Sequence, residues 1–145
     1  MSLVLDADIV GPWVAEKSGC DYKPGDATIG WERNGKLIAG VLYNEYNEAN
    51  IQIHSRVDGY APMQWYWTIF DYPFKQLGVK RLSGIIYSTN LKAQKLNEHL
   101  GFQREAILRN YFPEADAIVY VMFKDDCRFL GEKYEQKRWK SAQGA

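Results

Sequence analysis

Apolar and polar residues alternate in three segments of the first half of the chain, a pattern typical of half-buried β-strands. The segments are Ala27–Arg33, residues 36–43 and Asn50–Val57. Asn34-Gly35 separates the first two segments. This dipeptide favours a tight hairpin turn, because both residues of that turn need positive φ. The pattern therefore predicts three consecutive antiparallel strands.

Two segments with helical spacing of apolar residues surround these strands. In the first, Asp8 is the predicted N-cap, Pro12 falls in the first turn, and Gly19 follows the end. The second covers residues 62–77. Pro73 interrupts this second segment, which predicts a kink or a break near its middle.

The second half of the chain continues with alternating element types. Residues 81–88 are a β-prone run, and residues 90–100 place apolar positions on one side of a helix that Gly101 ends. Residues 102–109 and 117–123 are two further strand segments. The whole order predicts an α+β fold with a mixed, mostly antiparallel sheet. It includes one βαβ-like crossover through the second helix, and helices flank the sheet.

Length and charge narrow the class of protein. The chain has 145 residues, so we predict one domain over residues 1–140 and a frayed end at residues 141–145. It has 18 basic and 18 acidic residues. No nucleic-acid partner is expected, because binding to a phosphate backbone depends on an excess of Lys and Arg. We also expect no membrane association and a cytoplasmic location, since the chain begins without a basic, apolar leader and has no long apolar run.

Neither the two cysteines nor the charged C-terminal segment indicates a catalytic or metal-binding site. Cys20 and Cys127 are far apart and lack metal-binding or redox spacing, so reduced thiols and no metal site are expected. Residues 124–140 are charged, with a helical tendency. Their basic residues are a weaker candidate for nucleic-acid contact, because acidic residues in the same segment offset them.

Several motifs in residues 71–122 resemble those of the GNAT acetyltransferases, and most closely the Rim-type ribosomal-protein N-acetyltransferases. DYPFKQLGVKRL at residues 71–82 is similar to the helix-to-strand stretch of that family. NLKAQKL at residues 90–96, followed by LGF at residues 100–102, resembles its N-x-x-A/S helix that closes on Gly-Phe. The last two strands of the family are resembled by EAILR at residues 105–109 together with Asp116, Tyr120 and Met122.

The resemblance implies an acyl-CoA-dependent N-acyltransferase, with acetyl-CoA as the expected co-substrate and no metal. In that family the fourth and fifth strands splay apart and the pantetheine arm of CoA lies between them. Here these strands would be Asn50–Val57 and residues 81–88. The resemblance implies that Asn90 contacts the pantetheine. It also implies that the backbone groups of Ser55, Arg56 and Val57 contact the pantetheine and the thioester. At the thioester, backbone N–H groups would stabilise the developing oxyanion.

The loop after the fourth strand differs from the family pattern. The family has Q/R-x-x-G-x-G/A, whose backbone amides bind the CoA pyrophosphate, whereas this chain has DGYAP at residues 58–62. Pro62 lacks an amide donor, and Asp58 adds a negative charge near two phosphates. Three residues remain as the expected phosphate-binding groups: Gly59, Tyr60 and Ala61.

Two residues are candidates for acid–base catalysis. His54 lies on the fourth strand, where members of the family often place a base, and its usual pKa of about 6.5 suits a proton acceptor. The competing interpretation of His54 is a solvent-facing strand residue. Asn97 stands where many family members have a catalytic tyrosine. Tyr87, beside Ser88 and Thr89 at the end of the fifth strand, is therefore the candidate proton donor; one of these hydroxyls is alternatively a pantetheine contact. Lys95 is a candidate CoA-phosphate contact, against the alternative of a solvated helix face.

Two functions compete at this point. The first is transfer of an acyl group to a primary amine, on a small molecule or a peptide, by direct attack. The second is a catalytically degenerate binding or assembly module, of bacteriophage or mobile-element origin. The consecutive aromatic residues Trp65, Tyr66 and Trp67 cannot all face one core, so some of them are expected to line a groove, a dimer contact or the cleft. A homodimer is therefore one of the expected assemblies.

Overall fold

The structure is a computed structural model, and it describes residues 2–130. Within these residues the strands are β1 (Ser2–Val4), β2 (Ala27–Arg33), β3 (Lys36–Asn44), β4 (Asn50–Val57), β5 (Arg81–Tyr87), β6 (Gln103–Phe112) and β7 (Ala115–Phe123). The α-helices are α1 (Ala7–Ser18), α2 (Met63–Asp71) and α3 (Leu91–Leu100). A π-helical turn, Tyr72–Gln76, continues α2, and the 3-10 turns Lys124–Asp126 and Arg128–Leu130 follow β7.

The strands form one sheet in the order β1-β2-β3-β4-β5-β7-β6. Neighbouring strands are antiparallel except β4 and β5, which are parallel and joined by α2. The predicted mixed sheet with one βαβ crossover is therefore confirmed. Strands β4 and β5 pair only where residues 50–52 face residues 81–83, although both strands continue beyond this point. Their C-terminal halves diverge, which confirms the predicted splay.

Helix α1 lies against one face of the sheet. Val10 and Val14 of this helix are fully buried with Leu42 of β3. Two glycines allow the helix to lie this close, because a Cβ atom at Gly30 or at Gly40 would lie 2.9 Å from a valine methyl of α1. A side chain at either glycine would push α1 away from the strands that it covers.

The larger core lies on the opposite face of the sheet. Val41 and Tyr43 of β3 point to this face, and both are buried. Trp65 and Phe70 of α2 and Leu100 of α3 pack in the same cluster. The two helices therefore cover the side of the sheet that α1 leaves open.

The N-terminal region differs from the prediction in three respects. Strand β1 was not predicted, because three residues carry no detectable alternation and form a strand only by pairing with β2. The N-cap of α1 is Asp6, not Asp8, and the Asp6 carboxylate accepts a hydrogen bond of 3.0 Å from the Asp8 amide. The helix begins earlier as a result, and Pro12 lies in its interior instead of its first turn.

Later elements follow the prediction more closely. The break at Pro73 is confirmed, since α2 ends at Asp71 and a π-helical turn follows. Strands β6 and β7 are longer than predicted and leave only residues 113–114 between them. Phe112 and Ala115 pair next to this turn, whereas residues 109–111 form an irregular part of β6 in which Asn110 has a φ of 56°. The predicted helical tendency beyond residue 130 and the frayed end at 141–145 lie outside the described residues.

Candidate functional site

A cavity of about 560 Å³ opens where β4 and β5 diverge. On the α1 side its lining includes Glu16, His54 and Tyr87. On the side of α2 and α3 it is lined by apolar side chains such as Phe70 and Phe102. The cavity therefore reaches residues of both helix layers and passes the unpaired edges of the two central strands.

The backbone of β4 offers free polar groups to this cavity. The Ile53 carbonyl oxygen faces β5, since it lies 3.7 Å from where a Cβ atom would stand on Gly84. Backbone groups alternate in direction along a strand, so those of Ser55 and Val57 point the same way as those of Ile53. No β5 residue pairs with Ser55 or Val57, and both residues line the cavity. The resemblance implied that Ser55, Arg56 and Val57 contact the pantetheine and the thioester through such groups; those of Arg56 point toward β3, and the role of the other two stays a prediction.

His54 lies on the opposite face of β4 from Ile53, and it lines the α1 side of the cavity. Its Nε2 atom is 3.0 Å from the Asn44 Oδ1 atom. With this oxygen as acceptor, Nε2 carries the proton and Nδ1 keeps its lone pair. Burial lowers the pKa of His54, and the negative charges of Asp26 and Glu45 act in the opposite direction. The net lowering favours a neutral imidazole with one free basic nitrogen at neutral pH. The side chain is partly buried, so the solvent-facing interpretation does not describe it.

Tyr87 occupies the C-terminal end of β5, at the rim of the cavity. Its ring stacks on Phe112 of β6 at 3.6 Å between centroids. A Cβ atom on Gly19, just after α1, would lie 3.7 Å from the Tyr87 hydroxyl oxygen. The stacking fixes the ring, and the phenol is thereby held between α1 and the sheet.

The Arg56 side chain is used inside the protein. Its guanidinium group donates to both carboxylate oxygens of Asp58, at 3.1 Å from Nε and 2.7 Å from the terminal nitrogen. It also donates to the Trp13 carbonyl oxygen at 2.9 Å and lies 4.0 Å above the Trp13 ring centroid. Arg56 pairs with Gly40 of β3 and is outside the cavity lining. Its role here is to hold the loop that begins at Asp58.

The loop at residues 58–62 presents free backbone amides. The Asp58 amide donates to the Ile38 carbonyl oxygen at 2.7 Å. The next three amides have no hydrogen-bond acceptor among residues 2–130, and they belong to Gly59, Tyr60 and Ala61. The Tyr60 side chain is 73% exposed and does not line the cavity, so it does not block it.

The charge of Asp58 is compensated by basic neighbours. Hydrogen bonds from Arg56 lower the pKa of the Asp58 carboxyl group, and the charges of Lys17 and Lys92 lower it further. Lys17 belongs to α1 and Lys92 to α3, so basic side chains from two helices flank the loop. The predicted conflict between Asp58 and a phosphate is reduced by this arrangement.

Asn90 caps α3 beside the cavity. Its side-chain oxygen accepts a hydrogen bond of 3.1 Å from the Ala93 amide, and the residue lines the cavity. The cap leaves the two N–H donors of the Asn90 amide group available. Lys95 is exposed on α3 and lies outside the cavity lining, whereas Lys92 is the lysine whose charge reaches the loop.

The ten predicted site residues thus fall into three groups. Those that line the cavity are His54, Ser55, Val57, Tyr87 and Asn90. Those in the adjoining loop are Gly59, Tyr60 and Ala61. Those outside both are Arg56 and Lys95. Their assigned roles stay predictions.

The sequence did not reveal two residues that shape the site. Gly84 lies in the middle of β5, lines the cavity and leaves it free of a long side chain at this point. A glycine inside a β-prone run signals a close approach of backbone or ligand, and this signal was present. Asn44 is the last residue of β3, and only the β3–β4 pairing brings it to His54.

Residues 2–130 contain no group of three or more side chains arranged to hold a metal ion. Both cysteines are free thiols. No helix in this part of the chain is long and apolar enough to cross a bilayer.

Solved structures of acetyltransferases resemble this chain. A chimera of the spermidine N-acetyltransferase SpeG from Vibrio cholerae shares 19% identity over 76% of this chain and 73% of its own, with a TM-score of 0.62. A ribosomal-protein alanine acetyltransferase from Vibrio fischeri shares 20% identity over 71% of this chain and 64% of its own, with a TM-score of 0.60. A GNAT-family acetyltransferase from Bacillus anthracis shares 18% identity over 68% of this chain and 66% of its own, with a TM-score of 0.57.

The likeness concerns the fold. No protein-family model and no curated protein matches the sequence. The structural neighbours are GNAT-family acetyltransferases, including one that acts on a ribosomal protein, so the predicted resemblance is confirmed at the level of the fold. This chain therefore has the GNAT fold.

Proposed function

We propose that this chain is an acyl-CoA-dependent N-acyltransferase that uses acetyl-CoA and acts on a primary amine by direct attack. The cavity between the splayed ends of β4 and β5 is the observation that carries the proposal. It joins free backbone donors, a neutral histidine and a phenol in one space. A structural role alone gives no reason to keep two central strands of a small sheet apart.

The acyl-CoA would bind along the diverging edge of β4. The backbone groups of Ser55 and Val57 suit the amides of the pantetheine arm and the thioester carbonyl. The loop amides at residues 59–61 suit the pyrophosphate, because they are free and lie at the start of α2. Lys17 and Lys92 add positive charge at this end. The thioester would then lie deeper in the cavity than the phosphates.

The acceptor amine would approach from the α1 side. His54 accepts one proton from the ammonium group at Nδ1, which frees the nitrogen lone pair. The amine nitrogen attacks the thioester carbon, the C–N bond forms, and backbone N–H groups of β4 stabilise the oxyanion. The C–S bond then breaks. The Tyr87 hydroxyl protonates the sulfur, and the second proton of the attacking nitrogen restores the phenol through solvent.

The charges near His54 suit a cationic acceptor. Asp26 and Glu45 act on its pKa from nearby, and Glu16 lines the same side of the cavity. Acidic side chains attract an ammonium group to the mouth of a site. One structural neighbour is a spermidine N-acetyltransferase and another a ribosomal-protein alanine acetyltransferase. We therefore propose a small-molecule or peptide amine as acceptor, while the homodimer and the cytoplasmic location stay predictions.

The experiment uses the full chain. Calorimetric titration with acetyl-CoA measures binding, and release of free CoA thiol in the presence of a panel of primary amines measures transfer. A reaction without amine controls for hydrolysis. We expect saturable binding and amine-dependent thiol release. Binding of acetyl-CoA without transfer to any amine would support the binding-module alternative. No binding at millimolar acetyl-CoA would refute the proposed acyltransferase and any binding module that uses CoA.

A further inference from the structure

Gln94 is a buried polar residue of α3. It is 4% exposed, and it does not line the cavity between β4 and β5. Burial of a carboxamide costs free energy unless its polar groups are hydrogen-bonded, whereas an apolar side chain would fill a buried helix position without that cost. The presence of a glutamine here therefore points to the hydrogen bonds that it makes.

The Gln94 carboxamide connects α3 to the end of β5. Its Nε2 atom donates to the carbonyl oxygen of Tyr87 at 3.2 Å and to that of Ser88 at 3.0 Å. Its Oε1 atom accepts a hydrogen bond of 3.0 Å from the Arg104 guanidinium group. The amide can take only this orientation, because a guanidinium group only donates and a carbonyl oxygen only accepts. Both amide hydrogens and the amide oxygen are thus in use.

Arg104 is itself held in place by two further side chains. Its Nε atom donates to the Tyr120 hydroxyl oxygen at 3.2 Å, and its terminal nitrogen donates to the Glu98 carboxylate at 3.2 Å. The Tyr120 hydroxyl donates to the same carboxylate at 2.7 Å. These residues belong to β6, β7 and α3, so Gln94 holds the end of β5 from a fixed support.

The end of β5 lacks support from β4. Strand β5 pairs with β4 only at residues 81–83, although it continues to Tyr87. Beyond this point its β4 side borders the cavity, and only β7 pairs along its other side. Gln94 adds a contact from the helix layer at the residue that carries the phenol.

We propose that Gln94 is a positioning residue that fixes the main chain of Tyr87 and thereby holds the phenol at the sulfur of acyl-CoA. The inference rests on the proposed function, because it takes Tyr87 as the proton donor. Stacking on Phe112 fixes the ring plane, and the bonds from Gln94 fix the backbone from which the ring projects. Position matters here, because a displacement of about 1 Å at a reacting group can lower a rate about 100-fold.

The first test replaces Gln94 by methionine in the full chain. Methionine has a similar length but makes none of these hydrogen bonds. We expect the kcat of amine-dependent thiol release from acetyl-CoA to fall at least about tenfold, because the phenol loses its position. The calorimetric affinity for acetyl-CoA should stay within about twofold, because Gln94 lies outside the cavity lining.

Ser83→Ala is the matched control. Ser83 lies on the same strand, is 7% exposed and does not line the cavity. Its hydroxyl donates to the Asn50 side-chain oxygen, so alanine also removes a buried hydrogen bond of β5. This bond is at the end where β4 and β5 pair, and its loss should leave kcat within about twofold.

A double-mutant cycle with Tyr87→Phe separates positioning from a general structural role. If Gln94 acts through the phenol, Gln94→Met should change kcat less than about twofold once Tyr87 is phenylalanine. A general structural role would lower kcat by the same factor in both backgrounds. Gln94→Glu is the second variant, because it keeps an acceptor for Arg104 and removes both donors, and it should reproduce the loss of kcat. Thermal unfolding shows which variants are folded.

The outcomes distinguish this inference from the proposed function. Unchanged kcat in a folded Gln94 variant, or equal losses in both backgrounds of the cycle, overturns this inference alone. Wild-type kcat in Tyr87→Phe overturns it together with the role of Tyr87. A wild-type chain without amine-dependent thiol release overturns the proposed function and this inference together.

Discussion

Replacement of Asn44 by aspartate would test whether His54 is the base. The Asn44 Oδ1 atom lies 3.0 Å from His54 Nε2, and aspartate has nearly the same shape as asparagine. The change places a negative charge next to an imidazole whose pKa is otherwise lowered by burial. An opposite charge at this distance favours the protonated ring, so the pKa of His54 rises in the variant.

The size of the effect follows from this geometry. A carboxylate in direct contact with an ionisable group moves a titration by about one pH unit or more. If the neutral ring is the base, the acidic limb of the kcat/KM profile moves to higher pH by the same amount. At a pH well below the limb, each pH unit of movement lowers the rate about tenfold, because the neutral fraction falls tenfold.

Two measurements on one protein decide the outcome. The chain has 2 histidines, so proton NMR follows the titration of His54 directly, with His99 as an internal reference. The kinetic profile is measured on the same variant. Asn34→Asp is the matched control, since it adds the same charge in the β2–β3 turn at the other end of β3. An NMR titration that moves while the kinetic limb stays in place would refute His54 as the base.

Three further predictions concern the cavity, the loop and acid stability. Gly84→Leu should weaken CoA binding at least about 100-fold, because the leucine side chain would fill the gap between β4 and β5. Gly84→Ala should bind CoA normally, because its Cβ atom would stand 3.7 Å from the nearest backbone oxygen. Equal calorimetric affinities of the two variants would contradict this prediction. Arg56→Gln should weaken CoA binding about tenfold by removing the cation that is hydrogen-bonded to Asp58. Adding Asp58→Asn should restore the affinity, and failure to do so refutes the charge explanation. The pKa of His54 is lowered below its usual 6.5 in the folded chain, so its contribution to stability is present above pH 6.5 and is lost as pH falls through the folded value. Denaturant unfolding of His54→Gln should show a flatter decline of stability over that range than the wild type does.

Local sequence signals were sufficient where a backbone conformation depends on neighbouring residues. Asn34 and Gly35 adopt φ of 54° and 76° in the predicted hairpin turn. Gly101 ends α3 with φ of 109°, as its position after the apolar helix face predicted. These residues act within a few positions along the chain, so their effect could be derived without the fold.

Long-range pairing was beyond such signals. Strand β1 exists only because residues 2–4 pair with residues 30–32 of β2. The position of Asn44 beside His54 depends on the register of β3 and β4. The bonds from Gln94 to the end of β5 could not be derived from the sequence, because hydrogen-bond satisfaction depends on every neighbour in space.

The sequence by itself determined the element order from α1 onward, the hairpin, the glycine stops of α1 and α3, and the resemblance to an acyltransferase fold. It also placed His54, Ser55 and Val57 on the strand that borders the cavity. The resemblance implied that β4 and β5 splay, but only the tertiary structure decided that they part after residues 52 and 83, and that Arg56 pairs with Asp58. The physical reason is that a strand's pattern specifies which face is buried. Which edges stay unpaired, and which charges meet, is set by segments far apart in the chain.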